Sequence, residues 1–317
     1  MSAASRSRWP SRLDRPLRWS AGAAILVVVL AQVGGGPVLD QLVRADLAIA
    51  IPAIAGLVAV HLLGAATWRL LQSRISGWAP DWPAAFRIYY VAQAIGGMTP
   101  ANLGSDLYRL TAVRQERRWS DAAVPIVTQR IGSSAALALL GVIGLSVISV
   151  QVPAAGWLVG GALSIVLLGC GAVVLLRWRP AAERLGGAGT VRSWAGSALA
   201  SVWLGGLFHL VSLLLALALV TSLSPVADPM PVLAALSVAR LSLLVPVAPS
   251  GLGVQEGLLV VLFAGVGLSG EVALAASLLG RVALLATTLL GAGLLVRGRS
   301  SGVLPVGPPA GRDALPG

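Results

Sequence analysis

The sequence predicts an all-α integral membrane protein: a polytopic transmembrane helical bundle of about six to eight spans with two re-entrant broken-helix hairpins in an inverted repeat. Three observations predict it. Charge is scarce and segregated: of 317 residues, 56% are hydrophobic and 11% charged, and none is charged between Arg130 and Arg177 or between Arg192 and Asp228. A soluble domain carries about a quarter charged residues, and uncharged apolar runs of 18 or more read as membrane spans. The basic residues, 23 arginines and no lysine, gather in short segments beside the apolar runs. Two further apolar stretches, about 84–114 and 230–267, are broken in their middles by proline and glycine.

Residues 1–18 form a basic cytoplasmic tail with Arg6, Arg8, Arg12, Arg15 and Arg18, expected to be disordered. The apolar run from Ala21 resembles a signal peptide, but no clean small-x-small cleavage site follows, so a retained signal-anchor helix is expected. The transmembrane domain is placed at 19–297, with spans at about 20–39, 46–68, 122–149, 156–176, 194–222 and 272–296. A Pro/Gly-rich tail, 298–317, follows and is also expected to be disordered and cytoplasmic.

The two interrupted stretches differ from these spans. Pro100 and Gly104 break the first; Pro246, Pro249, Gly251 and Gly253 break the second. Proline removes a backbone donor and clashes with the preceding turn, and glycine permits a sharp reversal. Each arm of about 12–18 residues is short for a full crossing, so each stretch is read as a hairpin returning to its own side. Non-helical backbone at that depth must be buried in protein or line a wet cavity. With both termini in the cytoplasm of a bacterial inner membrane, Arg69, Arg74 and Arg87, then Arg114 to Arg118, then Arg177 to Arg192, then Arg297 fall inside, and Arg44 alone breaks the positive-inside pattern. Nine of the ten tryptophans, all but Trp203, lie near segment ends, as an aromatic belt would.

The hairpins resemble each other. Pro100, Leu103 and Gly104 recur as Pro249, Leu252 and Gly253 at an offset of 149, and an acid follows in each, Asp106 and Glu256. A span then begins at Ser120-Asp121 or Gly270-Glu271 and carries an arginine nine or ten residues on, Arg130 or Arg281. This order predicts a duplication with halves at about 46–176 and 194–297. By the topology above, the second half is inverted relative to the first, an arrangement of many alternating-access transporters.

Those arginines are the candidate site. Arg130 and Arg281 lie about 14–15 Å from their helix starts, near the centre of a ~30 Å core, and Arg240 lies at similar depth. Each such charge costs about 2.5–3.5 kcal/mol and is expected to face the interior and pair. Two readings stay open. One is structural ion pairing, Glu256 with Arg281 and Asp106 with Arg130. The other is a polar path in which Arg130, Arg240 and Arg281, joined by Arg109, engage a lipid phosphate. Guanidinium forks suit phosphate oxygens. Helix starts after Gly104 and Gly253 would add N–H donors.

Other signals count against other classes. A net charge of +11 would point to nucleic acid in a soluble chain, but here it follows span ends, so no nucleic-acid partner is expected. The single cysteine, Cys170, allows no intrachain disulfide or cysteine-based metal site. His61 and His209 read as packing residues, and Gly156 with Gly160 as a helix-packing GxxxG. The tyrosines, Tyr89, Tyr90 and Tyr108, cluster at the first hairpin, as cavity lining or core. Gly251-Leu-Gly253 is no dinucleotide fingerprint, since no strand precedes it. No Ser-His arrangement or metal-ligand cluster is visible, so no cofactor and no self-contained enzyme are expected; acid/base work by Asp106 or Glu256 on a lipid is the weaker reading.

At the hairpins the chain resembles the membrane region of lysylphosphatidylglycerol synthases. Pro100, Gly104, Asp106 and Arg109 match a pattern of roughly Pro-Gly-Gly-x-Gly-Gly-Asp-x-x-Arg, from which Ala101, Asn102 and Ser105 depart. Pro249, Gly251, Gly253 and Glu256 match the pattern Pro-x-Gly-x-Gly-x-x-Glu of the second hairpin, Arg281 matches the later arginine, and the likeness covers about 20–300. The resemblance implies a lipid flippase without the family's cytosolic aminoacyltransferase domain. Its ligand would be a phospholipid, an aminoacyl lipid or a polyprenyl-phosphate-linked sugar, and it would act alone, as a homo-oligomer or with a membrane enzyme. The alternative is a non-transporting accessory subunit of a lipid-modifying or glycosyltransferase system.

Overall fold

A computed structural model describes residues 14–97, 99, 102–114, 119–151, 188–244 and 251–300. The expected span 156–176, the Gly156/Gly160 pair, Cys170, both hairpin prolines Pro100 and Pro249 with Pro246, and most of both tails lie outside them. Among the described residues every regular element is helical. Four helices are long and apolar enough to cross a membrane: Leu47–Ser76, Asp121–Ile148, Ala195–Thr221 and Gly270–Arg297.

Helix α1 (Asp14–Val33) stops at Gly34, and α2 (Gly35–Val43) leaves at 82° to it. The expected straight span at 20–39 is therefore a bent pair. The cause is local: Gly34 adopts φ 93, which breaks the helical ladder and which glycine tolerates without a Cβ clash. Asp46 then caps α3 (Leu47–Ala59) by accepting the Ala48 N–H at 2.9 Å. Val60 keeps helical angles, so α3 and α4 (His61–Ser76) form one span that ends at left-handed Gly77, well beyond the expected boundary at 68.

Both interrupted stretches fold as pairs of short helices packed on each other. The first is α5 (Trp82–Gly97) with α6 (Leu103–Arg114). The second is α9 (Pro229–Arg240), extended by a 3₁₀ turn at Leu241–Leu244, with α10 (Val254–Gly265). Between and after them run the long helices α7 (Trp119–Gln151), α8 (Ala188–Thr221) and α11 (Gly270–Ser300). Asp228 caps α9 through the Met230 N–H at 3.0 Å, with Pro229 pre-set at the first helical position.

The packing is reciprocal. Helix α5 of the first hairpin lies on α11, the long helix after the second hairpin; α9 of the second lies on α7, the long helix after the first. Each hairpin's second arm, α6 or α10, packs on the long helix that follows it. Small residues permit the close approaches. A Cβ on Gly291 would stand 2.2 Å from the Tyr90 carbonyl oxygen across the α5–α11 contact, and one on Gly205 would stand 2.7 Å from Ser133 Cα across α7–α8.

Outward faces are apolar. Leu139, Ile143, Leu199, Trp203, Leu285 and Leu289 are all exposed on the long helices. Such a surface would be unfavourable in water and matches lipid tails. One tryptophan departs from the belt expected for it: Trp68 is fully buried, in a cluster with Ala65, Ala85, Tyr89 and Val113.

Candidate functional site

The two hairpins and the long helices enclose a cavity of about 580 Å³. Arg109, Arg130, Arg240 and Arg281 all line it, as do Asp106 and Gly251. Glu256 stands directly behind Arg281, 1% exposed. The six charged residues picked out along the chain thus converge on one place.

Asp106, in the first turn of α6, takes a guanidinium on each carboxylate oxygen. Arg109 Nη2 donates to Oδ1 at 2.6 Å, one helical turn on, and Arg130 Nη1 from α7 donates to Oδ2. Arg109 is buried further: its Nη1 donates to Gln129 Oε1 at 2.6 Å, and Gln129 Nε2 donates to the Gly64 carbonyl at 2.8 Å. Its guanidinium also lies 5.3 Å from the Tyr89 ring centre.

The second hairpin repeats the design more tightly. Arg281 Nε and Nη2 both donate to Glu256 Oε1, and Ser277 Oγ adds a third donor at 3.1 Å. Glu256 Oε2 accepts the Gly253 N–H at 2.7 Å, so the carboxylate at the third helical position reaches back to the N-cap backbone at the start of α10. Both ion pairs anticipated as structural are present. In the first hairpin the Gly104 N–H is likewise used by the chain itself, donating to Thr99 Oγ1 at 2.8 Å.

Arg240 differs. It ends α9, and its Nη2 donates to the Ser212 carbonyl at 2.9 Å. Among the described residues no carboxylate pairs with it. Four arginines against two carboxylates leave the cavity with an excess of two positive charges.

One departure from the hairpin pattern, Asn102, has a physical account. Asn102 holds φ 57, the left-handed region that asparagine enters more readily than other non-glycine residues. Its side chain fits because residue 96 is glycine: a Cβ there would stand 1.8 Å from Asn102 Oδ1. Gly104 is needed where it is, since a Cβ would meet Thr99 at 2.8 Å.

Several cavity residues escaped the sequence reading. His61 and His209, read as packing, both line the cavity, and His209 Nε2 lies 3.0 Å from Ser133 Oγ. His61 does pack, against Phe208 at 5.8 Å between ring centres, but its Nδ1 is buried without a hydrogen-bond partner among the described residues. Tyr89 lines the cavity, while Tyr90 is turned away, its hydroxyl donating to the Val58 carbonyl at 2.8 Å. Gln93, Gln129 and Gln255 line it too. Their one sequence signal was an amide within a mainly apolar helix. Among the described residues no group of three or more His, Cys, Asp or Glu is placed to hold a metal ion.

Long apolar helices, two packed half-length hairpins and a cationic cavity between them define a polytopic helical membrane protein with a polar site within the bundle. The family model described as lysylphosphatidylglycerol synthase TM region matches residues 17–291, and the chain belongs to that family. No curated protein matches it.

Proposed function

We propose that the chain moves a lipid with an anionic, phosphate-bearing head group across the bacterial plasma membrane, with both termini cytoplasmic. The observation that carries this reading is the cavity itself, where arginines from both hairpin repeats converge with an excess of positive charge. Leucines such as Leu137, Leu204, Leu236 and Leu284 share its lining, so a phosphate and an acyl chain can be accommodated side by side. Guanidinium groups in a low-dielectric site hold phosphate oxygens strongly. In this reading the chain carries out no covalent chemistry. It works alone, as a homo-oligomer or beside a membrane enzyme.

Arg240 is the residue on which to test this. Arg130 and Arg281 anchor hairpins through ion pairs, so neutralising either also removes a structural contact. In proteoliposomes holding head-group-labelled phosphatidylglycerol, the wild type should exchange label between leaflets. Arg240→Gln, verified as folded, should do so about tenfold more slowly or worse, the loss of one charge-assisted contact of about 1.5–3 kcal/mol. No movement of any anionic lipid by the folded wild type would favour the accessory-subunit reading instead.

A further inference from the structure

We infer that Gln129 is a positioning residue of the site: by fixing Arg109 on Asp106, it lets Arg130 pass from Asp106 to the phosphate of the ligand. This rests on the proposed function and deepens it by giving the arginines unequal roles.

Asp106 carries two guanidinium partners of unlike character. Arg109 is held from several sides. Its side chain is 6% exposed, its guanidinium lies 5.3 Å from the Tyr89 ring centre and 5.8 Å from that of Trp68, and its Nη1 donates to Gln129 Oε1. Gln129 is fixed in turn. A guanidinium only donates and a carbonyl only accepts, so a single amide orientation serves Arg109 and the Gly64 carbonyl of α4 together. Ser201 of α8 steadies the backbone at the same point, its hydroxyl donating to the Thr128 carbonyl at 3.1 Å and to that of Gln129 at 3.4 Å. Gln129 thereby ties α4, α7 and α8 to the guanidinium that keeps Asp106 neutralised.

Arg130 is the other partner. Its side chain is 39% exposed and lines the cavity. When it turns to a phosphate, Asp106 keeps Arg109, so no buried charge is stranded, and stranding is the main cost of breaking a buried pair. Phosphate and carboxylate oxygens accept from a guanidinium in the same way, so the exchange is nearly balanced. The second hairpin is built differently. Both guanidinium contacts recorded on Glu256, which is 1% exposed, come from Arg281. Moving Arg281 onto a ligand takes both of them from a sealed carboxylate. Arg281 therefore stays an anchor, and Arg130 is the exchangeable donor.

The test is a double-variant cycle on the full chain in phosphatidylcholine nanodiscs holding a small amount of phosphatidylglycerol, with bound lipid counted by native mass spectrometry. Gln129→Met keeps the side-chain length without the amide, so Asp106 must lean on Arg130, and phosphatidylglycerol retention should fall at least about threefold. Asp106→Asn keeps one acceptor for Arg109 and turns an N–H toward Arg130, so retention should rise at least about threefold above wild type. Gln129→Met/Asp106→Asn should match Asp106→Asn within about twofold, because no acid is left to compete for Arg130. A Gln129 with only a structural role would lower retention equally whichever residue stands at 106, and that result overturns the inference. So does Asp106→Asn retaining no more than wild type; in both cases the proposed function stands. If the variants do not fold, arginine modification of the wild type by phenylglyoxal decides. Phosphatidylglycerol should protect Arg130 at least about threefold and leave Arg281 unchanged. Arg130 unprotected, or Arg281 protected as strongly, overturns the inference. Wild type retaining phosphatidylglycerol no better than phosphatidylcholine overturns the proposed function, and the inference with it.

Discussion

Arg281 reaches Glu256 with two nitrogens on a single oxygen, Nε at 2.9 Å and Nη2 at 2.7 Å, while the other Glu256 oxygen holds the Gly253 backbone N–H. One carboxylate thus ties α11 to the start of α10. Removing one partner of a buried pair strands the other charge and costs about 3–5 kcal/mol. Glu256→Gln should therefore lower the thermal midpoint of the detergent-solubilised protein markedly. The double variant Glu256→Gln/Arg281→Gln should recover part of that loss, because no charge is left stranded. A midpoint for Glu256→Gln equal to wild type would show that the pair does not anchor the hairpin.

The α5–α11 contact depends on one glycine. A methyl group at Gly291 would stand 2.2 Å from the Tyr90 carbonyl oxygen and 2.8 Å from Ala94 Cβ, whereas one at Gly293 meets nothing within 4 Å. Backbone cannot rotate aside as a side chain can. Gly291→Ala should cost about 1–3 kcal/mol through overpacking, and Gly293→Ala should be neutral or slightly stabilising by helix propensity. Paired thermal melts of the two variants check this; equal midpoints would refute the close approach.

Asn102 immediately precedes α6 and lies in the left-handed region, at φ 57. A β-branched residue pays about 1–2 kcal/mol there, so Asn102→Val should destabilise the first hairpin. Asn102→Gly should keep wild-type stability, since glycine enters this region freely. Limited proteolysis at the hairpin, or melts of the two variants, would separate them. A stable Asn102→Val would mean that the turn tolerates another conformation.

Much of the bundle was legible along the chain. The spans at 122–149, 194–222 and 272–296 reappear as Asp121–Ile148, Ala195–Thr221 and Gly270–Arg297. They lie in uninterrupted apolar runs, and hydropathy alone reports such runs. The hairpins were legible because their breakers and acids repeat. The Gly34 bend was not, because a glycine in an apolar run is as compatible with a straight membrane helix as with a sharp turn. Trp68 misled for a related reason: a tryptophan at the last residue of the expected span 46–68 reads as interfacial, yet the helix continues to Ser76 and carries it into the core.

By itself, the sequence determined that the chain is a membrane helical bundle with two interrupted hairpins and a handful of intramembrane charges, since apolar length, charge segregation and breaker residues are properties of the chain read in order. Only the tertiary structure decided what those charges do. Asp106 holds two arginines, Glu256 is sealed by Arg281 and a backbone N–H, and Arg240 faces the cavity with a carbonyl for company. Candidate partners far apart in the chain number several for each guanidinium, and the choice among them is made by which helices pack against which, a contact pattern that no local signal encodes.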